Sequence, residues 1–97
     1  MRAARVVASD RALSLRSRTN DLAFARVAVQ TGRELGSAVT RNRARRRIRE
    51  AIRGELRGRG GAGLDLLATA RKGALDASPA TLRQAVTRAL DAALARR

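Results

Sequence analysis

Cysteine and histidine are both absent from this chain of 97 residues. Without cysteine there is no disulfide scaffold and no thiolate metal site, and without histidine the commonest general base is missing. Aromatic residues are reduced to Phe24, and no apolar run is long enough to span a membrane. Aspartate and glutamate number only eight together and are scattered. We therefore predict no catalytic residue and no metal ligand among the side chains.

Basic residues dominate what remains. Lysine and arginine together number 22, which gives a net charge of +14, and Lys72 is the single lysine among them. Such a balance favours a nucleic acid or an anionic membrane as the partner. The guanidinium fork suits phosphate recognition, but a GC-rich codon bias also explains the overall preference for arginine, although not the clustering of seven arginines in one stretch. The length predicts a single domain over residues 1–97.

The N-terminal region bears on localisation. Its first residues are rich in arginine, serine and alanine, as in an organelle transit peptide. Asp10 and the alternation of apolar and polar residues after it favour mature structure instead. We predict a cytoplasmic protein.

One stretch, Leu35 to Arg53, concentrates the charge. At helical pitch, Ala44, Ile48, Ala51 and Ile52 form an apolar stripe that predicts a helix docked on a sheet. The opposite side is a polar ridge of residues spaced four, three and four apart. Like charges at this spacing destabilise an isolated helix, so a polyanion is expected to offset their repulsion. The ridge consists of Asn42, Arg46, Arg49 and Arg53.

The acids in and after this stretch are predicted to pair locally. Glu50 lies four residues after Arg46 and three after Arg47, which favours an ion pair with either of them. Glu55 is expected to pair with a nearby arginine in the same way. Neither acid has the spacing of a metal-dependent nuclease.

The remaining pattern predicts an α+β fold in which helices cover one sheet. Turn residues at Thr19-Asn20-Asp21 suggest a hairpin between the second and third strands. Ser78-Pro79 is a typical helix start, and an apolar stripe follows it to the C-terminus. A loop with four glycines occupies residues 57–63. Strands are predicted at 5–8, 11–18, 24–31 and 64–70, with helices at 38–56 and from Ser78 onward.

A longer pattern resembles a known family. Residues Gly36 to Glu50, GSAVTRNRARRRIRE, resemble the RNR motif of the bacterial ribonuclease P protein component, a pattern close to GxAVxRNRxKRxxRE. Arg26 to Val29 resembles the family's strand before the motif, and LDLLATAR from Leu64 to Arg71 resembles the strand after it. The final helix also falls where the family has one. The resemblance covers about residues 5 to 95.

The resemblance implies the fold and the function. The fold expected is a mixed sheet of about four strands with two helices packed on it, similar to domain 2 of ribosomal protein S5. Its strand-helix-strand crossover is expected to be left-handed, against the usual rule. The function expected is that of the RNA-binding subunit of ribonuclease P. It assists a catalytic RNA in removing the 5′ leader from precursor tRNA, with Mg²⁺ held mainly by the RNA. No membrane and no protein oligomer are expected as partners.

The family motif also implies the RNA-binding residues. Six residues match the motif at their positions: Arg41, Asn42, Arg43, Arg45, Arg46 and Arg49. Arg53 of the polar ridge is a further predicted RNA-binding residue. Arg33, in the loop before the helix, is another, and this loop usually reads Ser-Lys-Lys in the family. Glu34 inverts one charge of that loop, which predicts weaker RNA contact there.

The N-terminus departs from the family pattern. The family opens with a helix that carries aromatic residues and helps to form the cleft for the leader, whereas this chain starts almost at the first strand. We expect the sheet face that such a helix covers to be exposed, and Phe24 is the one candidate for leader contact. A misassigned start codon and a divergent paralogue each explain the difference.

Three rival functions use the same arginine helix. A general RNA-binding or ribosome-associated protein would bind structured RNAs without a role in tRNA processing. A DNA-binding module is disfavoured because a glycine loop and a strand follow the helix, where a helix-turn-helix would require a second helix. A membrane-surface helix is weaker still, because the apolar face is small and lacks aromatic residues.

Overall fold

The structure, a computed structural model, describes residues 4–95. Four strands form one mixed sheet in the order β1-β2-β4-β3. β1 pairs with β2 and β2 with β4 in antiparallel fashion, whereas β3 and β4 are parallel. Their bounds are β1 Arg5–Ser9, β2 Leu13–Thr19, β3 Arg26–Thr31 and β4 Leu64–Ala70.

Two long helices and one short helix complete this part of the chain. α1 spans Ala38–Arg59 and connects the parallel strands β3 and β4. α2 is a single turn at Gly73–Asp76, and α3 spans Pro79–Ala95. A 3-10 turn at Arg33–Leu35 precedes α1. α1 lies against β3 and β4 and α3 against β1 and β2, so the two long helices share one face of the sheet. The predicted α+β architecture is confirmed.

The core lies between these helices and the sheet. β2 and β4 are the central strands, and each buries alternate residues: positions 13, 15 and 17 of β2 and positions 64, 66, 68 and 70 of β4. α3 begins where the sequence predicts, since Ser78 Oγ accepts a hydrogen bond from the Thr81 N–H at 3.1 Å. Its apolar stripe is buried as expected at Leu82, Ala85, Val86, Ala89, Leu90 and Ala93.

The predicted hairpin between the second and third strands is wrong. β4 lies between β2 and β3, so the segment after β2 crosses the end of β4 before β3 begins. Asn20 holds this crossing in place, because its N–H donates to the Gly63 carbonyl and its side-chain amide donates to Asp65. Turn residues favour a change of direction, but they do not determine which strand becomes the neighbour.

The end of α1 also differs from the prediction. The helix continues past Leu56 into the glycine-rich segment and ends only at Arg59, where Gly60 caps it with φ 83°. Arg59 pairs with Glu55 one turn earlier, at 3.6 Å, and with Asp91 of α3. These contacts hold the last turn helical although Gly54 and Gly58 lower its intrinsic propensity.

The second face of the sheet carries no helix of the described chain. Arg16 of β2 and Arg26, Ala28 and Gln30 of β3 are exposed on it, whereas Leu67 of β4 is half-buried. β4 buries only its alternate residues, so its other residues contribute to this second face. The expected exposed face is therefore present in residues 4–95.

Candidate nucleic-acid interface

α1 packs on the sheet through its apolar stripe, which determines the side of the helix from which each arginine projects. Ala44, Ile48 and Ile52 are at most 1% exposed, and Ala51 packs beside them. Burying this apolar stripe is the main favourable contribution to docking of the helix. At the N-terminus, Ser37 Oγ accepts a hydrogen bond from the Thr40 N–H at 3.3 Å. The predicted stripe is confirmed.

The outward side of α1 presents the RNR sequence to solvent. Asn42, Arg43 and Arg46 are exposed, and Arg41 and Arg45 are half-buried at its margins. The Asn42 side-chain oxygen accepts a hydrogen bond from the Arg45 guanidinium, so Asn42 orients an arginine of its own helix. Asn42 thus keeps its amide NH₂ as a donor toward solvent.

Val39 shares this outward side and was missed by the sequence analysis. It belongs to the first turn of α1 and is 79% exposed, the highest value among the large hydrophobic residues of the described chain. Its position in the sequence could have identified it, because Val39 precedes Asn42 by three residues and Arg43 by four. Residues at these spacings lie on the same side of a helix. An exposed valine among arginines offers an apolar contact surface on an otherwise charged face.

Arg49 and Arg53 lie on the flank of α1 that faces β3. Together with Leu56, Arg57 and Val27 they line a groove of about 500 Å³ between the helix and the edge of the sheet. Arg57 was not among the predicted site residues, although it follows Arg53 by one turn. The flank therefore extends the basic surface beyond the RNR sequence.

Arg47 points the other way, toward α2. Its guanidinium donates to the carbonyl oxygens of Ala74 and Ala77, both at 2.6 Å, and to that of Leu75 at 3.2 Å. These are the carbonyls that a one-turn helix leaves without intrahelical partners. Arg47 is thus a structural arginine within a basic run. It was not among the predicted RNA-binding residues.

The predicted acid pairs have different outcomes. Glu55 pairs with Arg59, as expected of a neighbouring arginine. Glu50 forms no ion pair with any residue of the range 4–95, because Arg47 is engaged at α2 and Arg46 extends into solvent. The predicted pairing of Glu50 with Arg46 or Arg47 is wrong.

Arg33 lies at the end of the molecule where α1 begins. It is exposed in the 3-10 turn, and Leu35, two residues later, is buried and anchors that turn to the core. Gly36, with φ 86°, then turns the chain into α1, a conformation that favours glycine. Arg33 thus belongs to the same end of the molecule as Arg41 and Asn42.

Phe24 lies at the opposite end of the molecule. It is 58% exposed, just before β3, and Arg33 follows that strand. Because a strand rises about 3.3 Å per residue, β3 separates the two residues by roughly 20 Å. α1 runs back along β3, so Phe24 lies near the C-terminal half of that helix. The structure does not bring Phe24 together with the RNR sequence.

A cluster around Asp65 organises the uncovered face of the sheet. Asp65 accepts hydrogen bonds from Arg18 at 3.0 Å, from both Nε and Nη2 of Arg26 at 2.7 Å, and from Asn20 at 2.8 Å. The hydrogen bond from Arg26, followed by that from Asn20, holds the pKa of Asp65 well below its usual range. Asp65 thereby offsets part of the charge of two arginines of the sheet, whereas none of the arginines from Arg41 to Arg53 forms an ion pair within residues 4–95.

Residues 4–95 contain neither a cluster of metal-ligating side chains nor a membrane-spanning helix. No group of three or more aspartate or glutamate side chains is placed to hold a metal ion. None of the helices in this range is both long enough and apolar enough to cross a membrane.

Comparison with known proteins identifies relatives. The family described as Ribonuclease P matches residues 2–94. The Ribonuclease P protein component of Symbiobacterium thermophilum is 49% identical over 61 residues, which are 63% of this chain and 52% of that protein. The chain thus spans about half the length of this curated relative.

Solved structures show the same fold. The RNase P protein from Thermotoga maritima superposes with a TM-score of 0.73 at 21% identity and covers 88% of this chain and 79% of its own. The RNase P protein of Staphylococcus aureus superposes with a TM-score of 0.68 at 23% identity, and the match covers 91% of this chain and 79% of that protein. With the family match over nearly the whole sequence, these findings establish that the chain belongs to the Ribonuclease P protein family.

Proposed function

We propose that this protein is the RNA-binding subunit of ribonuclease P and that it assists a catalytic RNA in removing the 5′ leader from precursor tRNA. The observation that carries the proposal is the docked helix α1, on which the RNR sequence faces solvent as a fixed row of arginines. Family membership and the name of the Symbiobacterium relative support it. Its place of action would be the cytoplasm.

The arginine surface explains how such a subunit would work. Arginine forks bind phosphate oxygens, and each neutralised phosphate releases counterions from the RNA. The residues proposed for this contact are Arg33, Arg41, Asn42, Arg43, Arg45, Arg46, Arg49 and Arg53. Holding cationic groups against a folded RNA lowers the repulsion between its own phosphates, which otherwise must be screened by Mg²⁺. The protein would therefore reduce the concentration of Mg²⁺ that the RNA needs.

The chemical step itself is assigned to the RNA. Hydrolysis at a phosphodiester needs a metal-bound water or a general base, and Mg²⁺ held by RNA phosphates would supply the former. The chain has no histidine or cysteine. The role proposed for its own residues is to bind and orient the RNA.

A reconstitution assay tests the proposal. The full chain is added to the RNA subunit from the same genome, and cleavage of precursor tRNA is measured over a Mg²⁺ titration. We expect the protein to shift the Mg²⁺ dependence to lower concentration and to raise the cleavage rate at limiting Mg²⁺. The variant R46A should weaken both effects. R83A, which removes an exposed arginine from α3, is the matched control and should retain them.

The result also separates the rival function. A general RNA-binding protein would leave the Mg²⁺ dependence of cleavage unchanged and bind unrelated structured RNAs with equal affinity at physiological salt. That outcome would overturn the proposal.

A further inference from the structure

We propose that Lys72 is a site of acylation by small acyl phosphates. Lys72 lines a hollow of about 400 Å³ at one end of the sheet. The residues that line this hollow are Arg11, Glu34, Arg71, Lys72, Gly73 and Asp76. Arg11 and Arg71 would hold the phosphate of the donor while the amine of Lys72 attacks its carbonyl carbon. This modification goes beyond the proposed function, because it needs no RNA.

The backbone brings Arg11 next to Lys72. β4 ends beside the start of β2, where the Arg71 N–H donates to the Ala12 carbonyl at 2.8 Å. The Gly73 N–H donates to the Arg11 carbonyl at 2.9 Å, and a Cβ atom at Gly73 would collide with that carbonyl. Because only glycine permits this approach, the turn before β2 and the segment that carries Lys72 are held together.

The cationic groups of the hollow are available to an anion. Arg11 and Lys72 are exposed, and neither side chain forms a hydrogen bond or an ion pair within residues 4–95. Arg71 is also exposed, and its Nη1 donates a hydrogen bond to Ser9 Oγ at 3.2 Å, which orients the guanidinium. A guanidinium that is oriented but not paired with a carboxylate is suited to bind phosphate oxygens.

Two carboxylates restrict which anion fits the hollow. Glu34 and Asp76 line it together with three basic side chains, so these five groups sum to a charge of +1. A phosphodiester backbone extends past any single cation and would be repelled by these acids as it continues. A small phosphate dianion can lie between Arg11 and Arg71 alone. The hollow therefore favours a small phosphate ester or anhydride over RNA.

Lys72 gives such a phosphate a chemical consequence. It is the single lysine of the chain, and its amine is a nucleophile once deprotonated. In an acyl phosphate the phosphate is bonded directly to the electrophilic carbonyl carbon, so a site that holds the phosphate places this carbon beside the amine.

The step balances without a further reactant. The ammonium group of Lys72 first loses one proton to water. Its nitrogen then forms a bond to the carbonyl carbon, as the bond between this carbon and the phosphate oxygen breaks. Phosphate leaves with the electron pair and takes up a second proton from the nitrogen, so a neutral amide replaces the cation at Lys72.

Competition between two lysines of one chain tests the proposal. The variant R83K adds a lysine on α3, where Arg83 is exposed and forms no ion pair within residues 4–95. The full chain is treated with limiting acetyl phosphate, and peptide mapping by mass spectrometry gives the initial rate of acetylation at each lysine. We expect Lys72 to react about five-fold or more faster than the introduced lysine. The ratio of the two rates should fall close to one with the N-hydroxysuccinimide ester of acetic acid, an acetyl donor without phosphate.

Matched variants in the R83K background make the outcome decisive. R11A should lower the ratio of rates obtained with acetyl phosphate, because it removes a ligand of the phosphate. R16A removes an exposed arginine from the second face of the sheet and should keep the ratio. Equal rates at the two lysines with acetyl phosphate would overturn the proposal, as would a preference for Lys72 that persists in R11A or with the ester. The assay contains no RNA, so its failure is distinguishable from failure of the reconstitution assay.

Discussion

Asp65 shows how one side chain joins three strands. It lies on β4 and accepts hydrogen bonds from Arg18 of β2, from Arg26 of β3 and from Asn20. The same contacts raise the pKa of Arg26 above its ordinary value. The carboxylate therefore stabilises the charged form of its neighbours and is itself kept charged, which makes this cluster sensitive to acid.

The substitution D65N tests this cluster. Because the pKa of Asp65 is lower in the folded chain than in the unfolded one, its contribution is fully present above about pH 4 and is lost as pH falls further. We expect D65N to lower the free energy of unfolding at about pH 7, and the difference from the unmodified chain to shrink at about pH 3. Urea denaturation of both proteins at both pH values measures this difference in the free energy of unfolding.

A matched variant serves as the control for this pH dependence. Asp21 forms no ion pair within residues 4–95, so D21N removes the same charge without breaking one and should lower the free energy of unfolding at about pH 7 much less than D65N does. A difference between D65N and the unmodified chain that is the same at both pH values would contradict the assigned role.

Arg47 marks the limit of sequence reasoning at this scale. Helical spacing correctly identified the buried stripe of α1, because that stripe depends on the helix alone. It placed Arg49 and Arg53 on the side opposite the stripe, whereas they lie on the flank that faces β3. The partner of Arg47 lies 27 to 30 residues later, in the carbonyls of a short turn, and no local pattern predicts a contact at that distance. The wrong pairing for Glu50 has the same origin, since a local rule assigned Arg47 to the nearest acid.

At the scale of elements, the long helices and all four strands could be predicted, but not how the strands neighbour one another. Alternation along β2 and the apolar stripes of α1 and α3 arise from residue periodicity. The insertion of β4 between β2 and β3 is a property of the whole chain, and the turn residues after β2 are compatible with either arrangement. The end of α1 was misjudged because Arg59 is held by a residue of α3.

The glycines of α1 provide a prediction at this scale. Gly54 and Gly58 lie inside the helix, and a Cβ atom at either position would meet no atom within 4 Å. Alanine at each should therefore raise the free energy of unfolding by about 0.5–1 kcal/mol, because it restricts the unfolded chain. Chemical denaturation of G54A and G58A measures the gain.

The neighbouring cap gives the matched control. Gly60 has φ 83° and a comparable open surrounding, so G60A should destabilise the protein instead. A loss of stability in G54A or G58A would contradict a continuous helix through Arg59.

At the scale of the whole molecule, the charge of +14 has two opposite consequences. Repulsion among the arginines disfavours the compact state of the free protein, and salt screens that repulsion. The same arginines attract RNA, and salt weakens that attraction by reducing the gain from counterion release. Folding and binding should therefore respond to ionic strength with opposite signs.

Thermal unfolding and RNA titrations over one KCl series test this pair of responses. We expect the melting temperature of the free protein to rise with KCl, whereas log affinity for RNA falls against log KCl with a slope on the order of −4 if roughly five phosphates are contacted. Bound RNA should raise the melting temperature most at low salt, because the stabilisation of the folded state by a ligand increases with the logarithm of its affinity. The variant R46A should flatten the RNA slope, since it removes an exposed arginine from the outward side of α1. A melting temperature that falls with salt would show that local ion pairs, such as those of Asp65, outweigh the repulsion of the excess arginines.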